Sequence, residues 1–272
     1  MRVLFLGDIV GQPGRRILSD VLASIKKEKE IDVCVANAEN AAAGFGLSFS
    51  IAKDLFSFGV DAITMGNHTF ARDDIFRFIE SEPRIVRPLN VSDAWPGADH
   101  VVLDRGVKGK LLVFNLLGRV GMAPADNPFA AADHAVKKYK ESSGASMCLV
   151  DFHAETTSEK VAMGYHLDGR VSMVVGTHTH VRTADERILA CGTGVITDVG
   201  MTGAVDGVIG MSVDSSLRRF VDQLPSTYEV AKGRAMINGV IAALDPQSGK
   251  CTHIERFYTE ETEFSEKKSR TK

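Results

Sequence analysis

The sequence has no C-x-x-C pair, no excess of charge of one sign and no long apolar run. Its four cysteines are widely spaced, which leaves no thiolate set for a structural zinc site. Cys34 and Cys148 lie inside apolar, strand-like runs, so we expect them to be buried free thiols. No apolar run approaches the roughly 20 residues that a membrane-spanning helix needs, so we expect no membrane as partner.

The charge balance of the chain excludes one class of partner. A formal net charge of −3 over 272 residues gives no electrostatic reason to expect long nucleic acid. A small anionic ligand remains possible, because a local metal site can outweigh a mildly acidic surface. The first residues, MRVLFLGD, are typical of a strand and lack the longer apolar stretch and cleavage site of a signal peptide. We therefore expect a cytoplasmic location.

Short polar clusters follow five apolar runs that are rich in Val, Ile, Leu, Met and Ala. Such runs are typical of strands buried on both faces. The carboxyl ends of parallel strands meet at one edge of a sheet, where open α/β folds place their sites. Asp, Glu, Asn and His are ligands for hard to borderline metals, so the pattern predicts a two-metal hydrolase. The clusters supply Asp8, Glu39 with Asn40, Asn67 with His68, His153, and His178 with His180.

Hydrophobic periodicity predicts the order of strands and helices. The first half alternates strands at 2–7, 32–36, 61–65 and 84–87 with helices. The first helix has about 15 residues and Pro13 in its first turn, and the next two lie at 50–58 and 72–80. We expect Ser48 or Ser50 to cap the second helix. The second half has hairpins at 99–116 and 234–258, helices at 128–141, from about 155 and at 215–223, and strands at 146–151, 171–175, 186–190 and 194–198. The stretch 200–233 is expected to be a Gly-rich loop around its helix.

The pattern predicts one domain over residues 1–272, with a frayed tail from about 260. No shift in composition marks a linker, and candidate ligands occur in both halves. The fold class is therefore α/β (α+β), with two sheets packed face to face and helices outside.

Three of the polar clusters, taken alone, have a simpler explanation. Asp8 precedes a helix and could cap it, and the loop around it lacks both G-K-[ST] and the G-x-G-x-x-G spacing of nucleotide-binding loops. A single H-x-H spacing could be incidental, and His153 could be a hydrogen-bonded histidine at a strand end. The repetition of the pattern at five strand ends favours one shared site.

Together these motifs resemble the signature of the calcineurin-like metallophosphoesterases, which runs D-x-H, G-D, G-N-H-[DE], H and G-H-x-H along successive strands. Three of the motifs depart from it: Val10 replaces a histidine, Glu39-Asn40 replaces an aspartate motif, and Thr69 replaces an acid. With these departures, the chain is similar to the YmdB-like branch of 2′,3′-cyclic-nucleotide 2′-phosphodiesterases. The matching segments are GDIVG from Gly7, NAEN from Asn37, GNHT from Gly66, DFHAE from Asp151 and GTHTHV from Gly176.

The resemblance implies a four-layer αββα sandwich with two mixed sheets and a dinuclear metal centre. Asp8, Glu39, Asn40 and His180 would surround one ion, and Glu39, Asn67, His153 and His178 the other, with Glu39 bridging. A metal-bridging hydroxide would attack phosphorus in line, without a covalent intermediate. The first ligand set would accept Fe, Mn or Mg and the second Fe, Mn or Zn, and we expect iron or manganese.

His68 adjoins Asn67 and is the candidate that protonates the leaving oxygen or stabilises charge on the phosphate. A histidine that only forms a hydrogen bond is the simpler alternative. The sequence does not fix its orienting partner, and Asp73 and Asp74 are candidates. Asp151 could orient a metal ligand or form a salt bridge.

Several functions use such a centre. We expect hydrolysis of small cyclic nucleotides, 2′,3′-cyclic and also 3′,5′-cyclic, with a broader phosphomonoesterase or nuclease as the near alternative. A non-catalytic nucleotide sensor is disfavoured by the retained His68. A homo-oligomer is implied only by the resemblance.

Phe45, between two glycines, could present an aromatic platform to a base or lie in a hinge. Arg119 and the stretch 200–211 are candidates for the mouth of the site.

Overall fold

The structure is a computed structural model that describes residues 1–261. Its strands are β1 (Arg2–Leu6), β2 (Asp8–Ile9), β3 (Val33–Asn37), β4 (Ala62–Thr64), β5 (Ile85–Val86), β6 (His100–Asp104), β7 (Lys110–Leu117), β8 (Met147–His153), β9 (Met173–Thr177), β10 (Arg187–Ile188), β11 (Gly194–Ile196), β12 (Met201–Ala204), β13 (Ala235–Leu244) and β14 (Cys251–Glu260). Its α-helices are α1 (Gly11–Glu28), α2 (Phe49–Phe58), α3 (Pro128–Ser143), α4 (Thr157–His166) and α5 (Val213–Phe220).

The strands form two mixed sheets, as the sequence predicts. In the first sheet the order is β2-β12-β13-β1-β3-β4-β5, with β14 paired to β13. Its strands β1, β3, β4 and β5 are parallel, and β13 is antiparallel to β1. The second sheet has the order β10-β11-β9-β8-β7-β6, with parallel inner strands and antiparallel edges.

Alternation of side chains along each strand produces the layers. In β1, Val3 and Phe5 belong to a core shared with Val113 and Leu149 of the second sheet. Leu4 and Leu6 point to the opposite face and pack in a second core with α1 and α2. A third core joins the outer face of the second sheet to α3 and α4. The predicted sandwich, with helices outside two facing sheets, is confirmed.

Local sequence signals explain several helix boundaries. Pro13 lies in the first turn of α1, and its apolar stripe at Ile17, Leu18, Val21, Leu22 and Ile25 is buried as predicted. Ser48, rather than Ser50, caps α2, because its hydroxyl accepts a hydrogen bond from the backbone N of Ile51 (3.4 Å).

Cys34 and Cys148 are buried free thiols, as expected from their apolar runs. Burial raises the pKa of each to about 12. Both therefore act as small apolar side chains in the sheets.

The structure differs from the sequence prediction in two segments. The predicted helix at 72–80 is wrong, because Asp73–Arg77 and Ile79–Ser81 form two short 3-10 helices. Phe78 between them leaves the helical conformation and is buried in the core, where its ring lies 5.4 Å from that of Phe49. The predicted loop from 200 contains the strand β12. The sequence prediction missed it because Thr202 and Gly203 interrupt the apolar run.

The predicted tail lies outside the described residues except for its first two. Glu260 ends β14, and Glu261 accepts a hydrogen bond from Arg16 (2.7 Å). Within residues 1–261, no helix is long and apolar enough to cross a membrane. The extent of the single domain to residue 272 stays a prediction.

Candidate metal centre

The structure brings all seven predicted metal ligands to the edge where the two sheets meet. Asp8 and the segments after β3 and β4 come from the first sheet, and the ends of β8 and β9 come from the second. The adjoining ligand residues are Glu39, Asn40 and Asn67 from the first sheet, and His153, His178 and His180 from the second.

Three potential ligand atoms converge on the Nε2 atom of His153. This nitrogen lies 2.9 Å from Asn67 Oδ1, 3.2 Å from Glu39 Oε1 and 3.0 Å from His178 Nδ1. Glu39, His153 and His178 form a group that could hold a metal ion. They belong to the set that the resemblance assigns to the second metal.

A second group surrounds Asp8. The Oδ1 atom of this buried carboxylate has no hydrogen-bond partner among the described residues, and His180 Nε2 lies 3.8 Å away. The side-chain amide of Asn40 lies 3.0 Å from the same nitrogen. A buried carboxylate oxygen without a partner costs free energy unless something compensates it. These residues therefore fit a divalent cation, because oxygen and imidazole ligands would gain a shared positive partner.

Gly66 makes room for this arrangement. A Cβ atom at residue 66 would lie 2.3 Å from Glu39 Oε2 and 2.6 Å from His153 Nε2. Both distances are shorter than any tolerated contact, so only glycine allows the strand end to pass so close to the two ligands.

His153 and His178, the two histidines of the group with Glu39, have opposite pKa shifts. Burial disfavours the charged form of His153, but Glu39 and then Asp8 outweigh it and raise its pKa to about 9. Burial lowers the pKa of His178 to about 3, and the nearby charge of His153 adds to this effect. Metal binding at this group would therefore displace a proton from His153.

A buried hydrogen-bond chain orients His153. Its Nδ1 atom donates to Thr177 Oγ1 (2.9 Å), whose hydroxyl donates to Asp151 Oδ1 (2.7 Å). The chain fixes the proton on Nδ1 and turns Nε2 toward the ligand group. Of the two roles considered for Asp151, the structure supports the orienting one.

The loop that carries His178 and His180 has an unusual backbone. Their φ angles are +98° and +65°, a left-handed region that costs free energy for residues other than glycine. Thr179 between them donates to Asp198 Oδ2 from its backbone N (3.2 Å) and from its hydroxyl (2.7 Å). Lys160 Nζ also donates to this oxygen (2.7 Å), and both charged side chains are buried.

Lys160 and Asp198 were not predicted from the sequence. Asp198 follows the apolar strand β11 in the same way as the predicted ligands follow theirs, so the strand-end pattern could have identified it. Nothing in the sequence marks Lys160, because its role depends on a contact between α4 and the end of β11.

His68 lies beside both ligand groups, with its side chain about 30% exposed. Its Nδ1 atom lies 2.8 Å from Asn40 Oδ1 and 3.1 Å from Glu39 Oε1, and its backbone N donates to Glu39 Oε2 (2.8 Å). The suggestion that Asp73 or Asp74 orients it is wrong. Asn40 and Glu39 hold the ring, while Asp74 pairs with Arg72.

A cleft of about 350 Å³ opens over the centre. Its polar side contains His68, His178 and His180, and its apolar side contains Phe45 and part of the predicted mouth segment, 208–211. Arg119 lines a different depression, with Phe129 and Glu159, so its predicted place at the mouth is wrong.

Comparison with known proteins identifies the family. A profile described as "YmdB-like protein" matches residues 4–257. The chain belongs to the YmdB-like family. A 2′,3′-cyclic-nucleotide 2′-phosphodiesterase of Bacillus subtilis is 44% identical over 256 residues, which cover 94% of this chain and 96% of the relative. A putative phosphatase/phosphodiesterase of Mycoplasma genitalium is 37% identical over 265 residues, or 94% of this chain and 92% of that protein.

Two solved structures have the same fold. A hypothetical protein from Thermus thermophilus matches with a TM-score of 0.89 and 39% identity, covering 96% of this chain and 99% of the other. A phosphatase from Mycoplasma pneumoniae matches with a TM-score of 0.89 and 36% identity, covering 96% and 93%. The predicted YmdB-like family is therefore confirmed, and the names of the relatives agree with the predicted hydrolase class.

Proposed function

We propose that this YmdB-like chain is a metal-dependent phosphodiesterase that hydrolyses 2′,3′-cyclic nucleotides with two divalent ions. The observation that carries the proposal is the convergence of potential ligand atoms from both sheets beside the buried Asp8 Oδ1, which has no hydrogen-bond partner within residues 1–261. The activity named for the Bacillus subtilis relative, at 44% identity, supplies the substrate class. Cytoplasmic location and a homo-oligomer stay predictions.

The two ligand groups would hold one ion each. Asp8, Asn40 and His180 would face the first ion, and Asn67, His153 and His178 the second, with Glu39 between them. Iron or manganese suits this mixture of oxygen and imidazole ligands. When bound, such a pair of ions activates water and stabilises the negative charge that develops on the phosphate.

His68 would act on the leaving oxygen. Its Nδ1 atom faces Asn40 and Glu39, which leaves Nε2 as the ring atom that can hold a proton toward the cleft. Cleavage of the 2′ ester bond requires a proton on the departing 2′ oxygen, and a positioned imidazole can donate it. The product then carries its phosphate on the 3′ oxygen.

A broader phosphatase is the second candidate. The cleft is wide enough for different phosphate esters, and a Mycoplasma relative is named a putative phosphatase/phosphodiesterase. Activity on 3′,5′-cyclic nucleotides can be tested by comparing the same substrates.

The direct test measures bound metal and turnover in the same preparations. We expect Fe or Mn in the purified protein and faster hydrolysis of 2′,3′-cyclic AMP than of 3′,5′-cyclic AMP or 3′-AMP. The His68→Ala variant should keep its metal and lose about 10²–10⁴-fold in kcat, the usual contribution of a general acid. The Asn67→Ala variant should lose metal as well as turnover, because it removes a ligand atom.

His134→Ala is the matched control, because His134 is an exposed histidine on α3 that does not line the cleft. It should behave as the wild type does. Full turnover by both the Asn67 and His68 variants would refute the assignment of the site. A preference for 3′-AMP over both cyclic substrates would favour the phosphatase.

A further inference from the structure

The apolar part of the cleft has no role in the proposed metal chemistry. It is formed by two segments, the turn that carries Phe45 and the segment from Val208 to Tyr228. Phe45, Ile209 and Phe220 are 39%, 49% and 68% exposed, although each is a large apolar side chain. Exposed apolar groups gathered beside a polar centre are typical of a ligand-binding surface.

The Phe45 turn is built onto a predicted metal ligand. Gly44 N donates to Asn40 O (3.1 Å), and Ala42 N donates to Gly46 O (2.9 Å). Gly44 and Gly46 have φ angles of +94° and +77°, so the aromatic residue is presented between two left-handed positions. Its ring centroid lies 4.9 Å from that of His68, with the rings nearly perpendicular. This rigid attachment argues against a hinge.

The second segment is built onto another ligand. Val208 and Met211 exchange backbone hydrogen bonds of 2.8 and 3.0 Å around a tight turn. Ile209 in this turn has a φ angle of +47°, which is strained for a β-branched residue. Its carbonyl oxygen accepts a hydrogen bond from His180 Nδ1 (2.8 Å). These hydrogen bonds fix the position of the apolar surface relative to the candidate metal centre.

The charges of the cleft restrict the ligand. Among the residues that the structure describes, no Lys or Arg lines the cleft, and Glu155 contributes a carboxylate beside His178 (3.2 Å). Arg219 stacks on the ring of Tyr228 (4.7 Å) without lining the cleft. A phosphate group would therefore find positive charge at the proposed metal ions, and the apolar side of the cleft favours an uncharged part of the ligand.

We propose that the apolar side of the cleft is a nucleobase subsite for nucleosides that carry a single phosphate group, with Phe45 as its stacking residue. This inference rests on the proposed function and adds the source of its selectivity. A base stacked on Phe45 would orient the ribose phosphate toward the centre. Ligands with a second phosphate, such as cyclic dinucleotides, would place that charge against apolar groups and Glu155.

The test compares substrates with and without a base. We expect wild-type kcat/KM to be higher for 2′,3′-cyclic AMP than for ribose 2,3-cyclic phosphate. In Phe45→Ala the ratio of these two values should fall about tenfold or more, mainly through KM, because base–aromatic stacking contributes roughly this much. Phe45→Tyr should restore the ratio. Phe49→Ala, which removes an exposed phenylalanine outside the cleft, should leave it unchanged.

Binding of the product gives a readout that does not depend on turnover. By calorimetry, 3′-AMP should bind the wild type more tightly than Phe45→Ala, and ribose 3-phosphate should not distinguish the two proteins. An unchanged ratio in Phe45→Ala, or equal binding of 3′-AMP by both proteins, would overturn the subsite. If neither cyclic phosphate is hydrolysed while 3′-AMP binding still depends on Phe45, the proposed hydrolysis falls and the base subsite stands.

Discussion

At the scale of single residues, the two buried carboxylates of the centre have opposite electrostatic properties. Burial raises the pKa of Asp8, and the attraction of His180 and His153 does not cancel this effect. Burial acts in the same direction on Glu39, but His153 and then His68 outweigh it and hold its pKa well below the usual value. The positive charge around Asp8 is therefore insufficient, as expected of a metal ligand whose positive partner is a bound cation.

Asp8→Asn should therefore separate metal binding from stability. The substitution keeps the shape of the side chain and removes an uncompensated buried charge. In the presence of a chelator, we expect the free energy of unfolding to stay equal or rise by about 1–2 kcal/mol, measured by urea unfolding. Without chelator, metal content and turnover should fall. A metal-free variant that is less stable than metal-free wild type would contradict this account of Asp8.

At the scale of structural elements, the loop after β9 needs support from outside itself. Its two histidines have left-handed backbone conformations, which cost free energy because neither residue is a glycine. The bonds from Thr179 to Asp198 tie the loop to the end of β11, and Lys160 on α4 compensates the buried carboxylate. Removing Lys160 alone would leave an unpaired buried charge, a change that typically costs 3–5 kcal/mol.

Thr179→Val tests this support with a smaller change. The variant keeps the side-chain volume and the backbone hydrogen bond but loses the hydroxyl that donates to Asp198 (2.7 Å). We expect a loss of stability of about 1–2 kcal/mol and weaker metal binding, because His178 and His180 can relax from their strained conformations. Metal affinity by calorimetry and thermal unfolding would measure the two effects.

Thr156→Val is the matched control for that substitution. Thr156 Oγ1 is buried and has no hydrogen-bond partner among the described residues. Its replacement should be neutral or stabilising, with unchanged metal affinity. If both threonine variants lose metal affinity equally, the bonds between Thr179 and Asp198 do not support the ligand loop.

Among the structural elements, the sequence predicts the strands that have a strong local signal. Apolar runs that end in Asp, Asn or His located β1, β3, β4, β8 and β9, because burial on both faces leaves a strong local signal. The strand β12 was missed, since its hydrogen bonds to β2 and β13 join residues far apart in sequence. Lys160 and the carbonyl of Ile209 were missed for the same reason: their partners are set by tertiary packing, which no local pattern records.

At the scale of the whole molecule, the two ligand groups join the two halves of the sandwich. The acids and amides come from the first sheet, whereas all three histidines of the ligand set come from the second. Each proposed ion would therefore contact both sheets. Unfolding must separate the sheets, so the proposed ions would bind the folded chain and have little affinity for the unfolded chain.

Metal binding should consequently stabilise the whole fold by mass action. At a free metal concentration about 100 times Kd, one site contributes roughly 2.7 kcal/mol, which corresponds to about 5–10 °C in Tm for a chain of this size. We expect Tm, measured by calorimetry, to fall when the metal is removed with a chelator and to rise steadily with free Mn²⁺. Asp8→Asn should lose part of this dependence, because it impairs one of the two proposed sites. If the Tm of the wild type did not change with the concentration of free metal, a centre shared by both sheets would be contradicted. Ions that bridge two elements cannot leave the unfolding equilibrium unchanged.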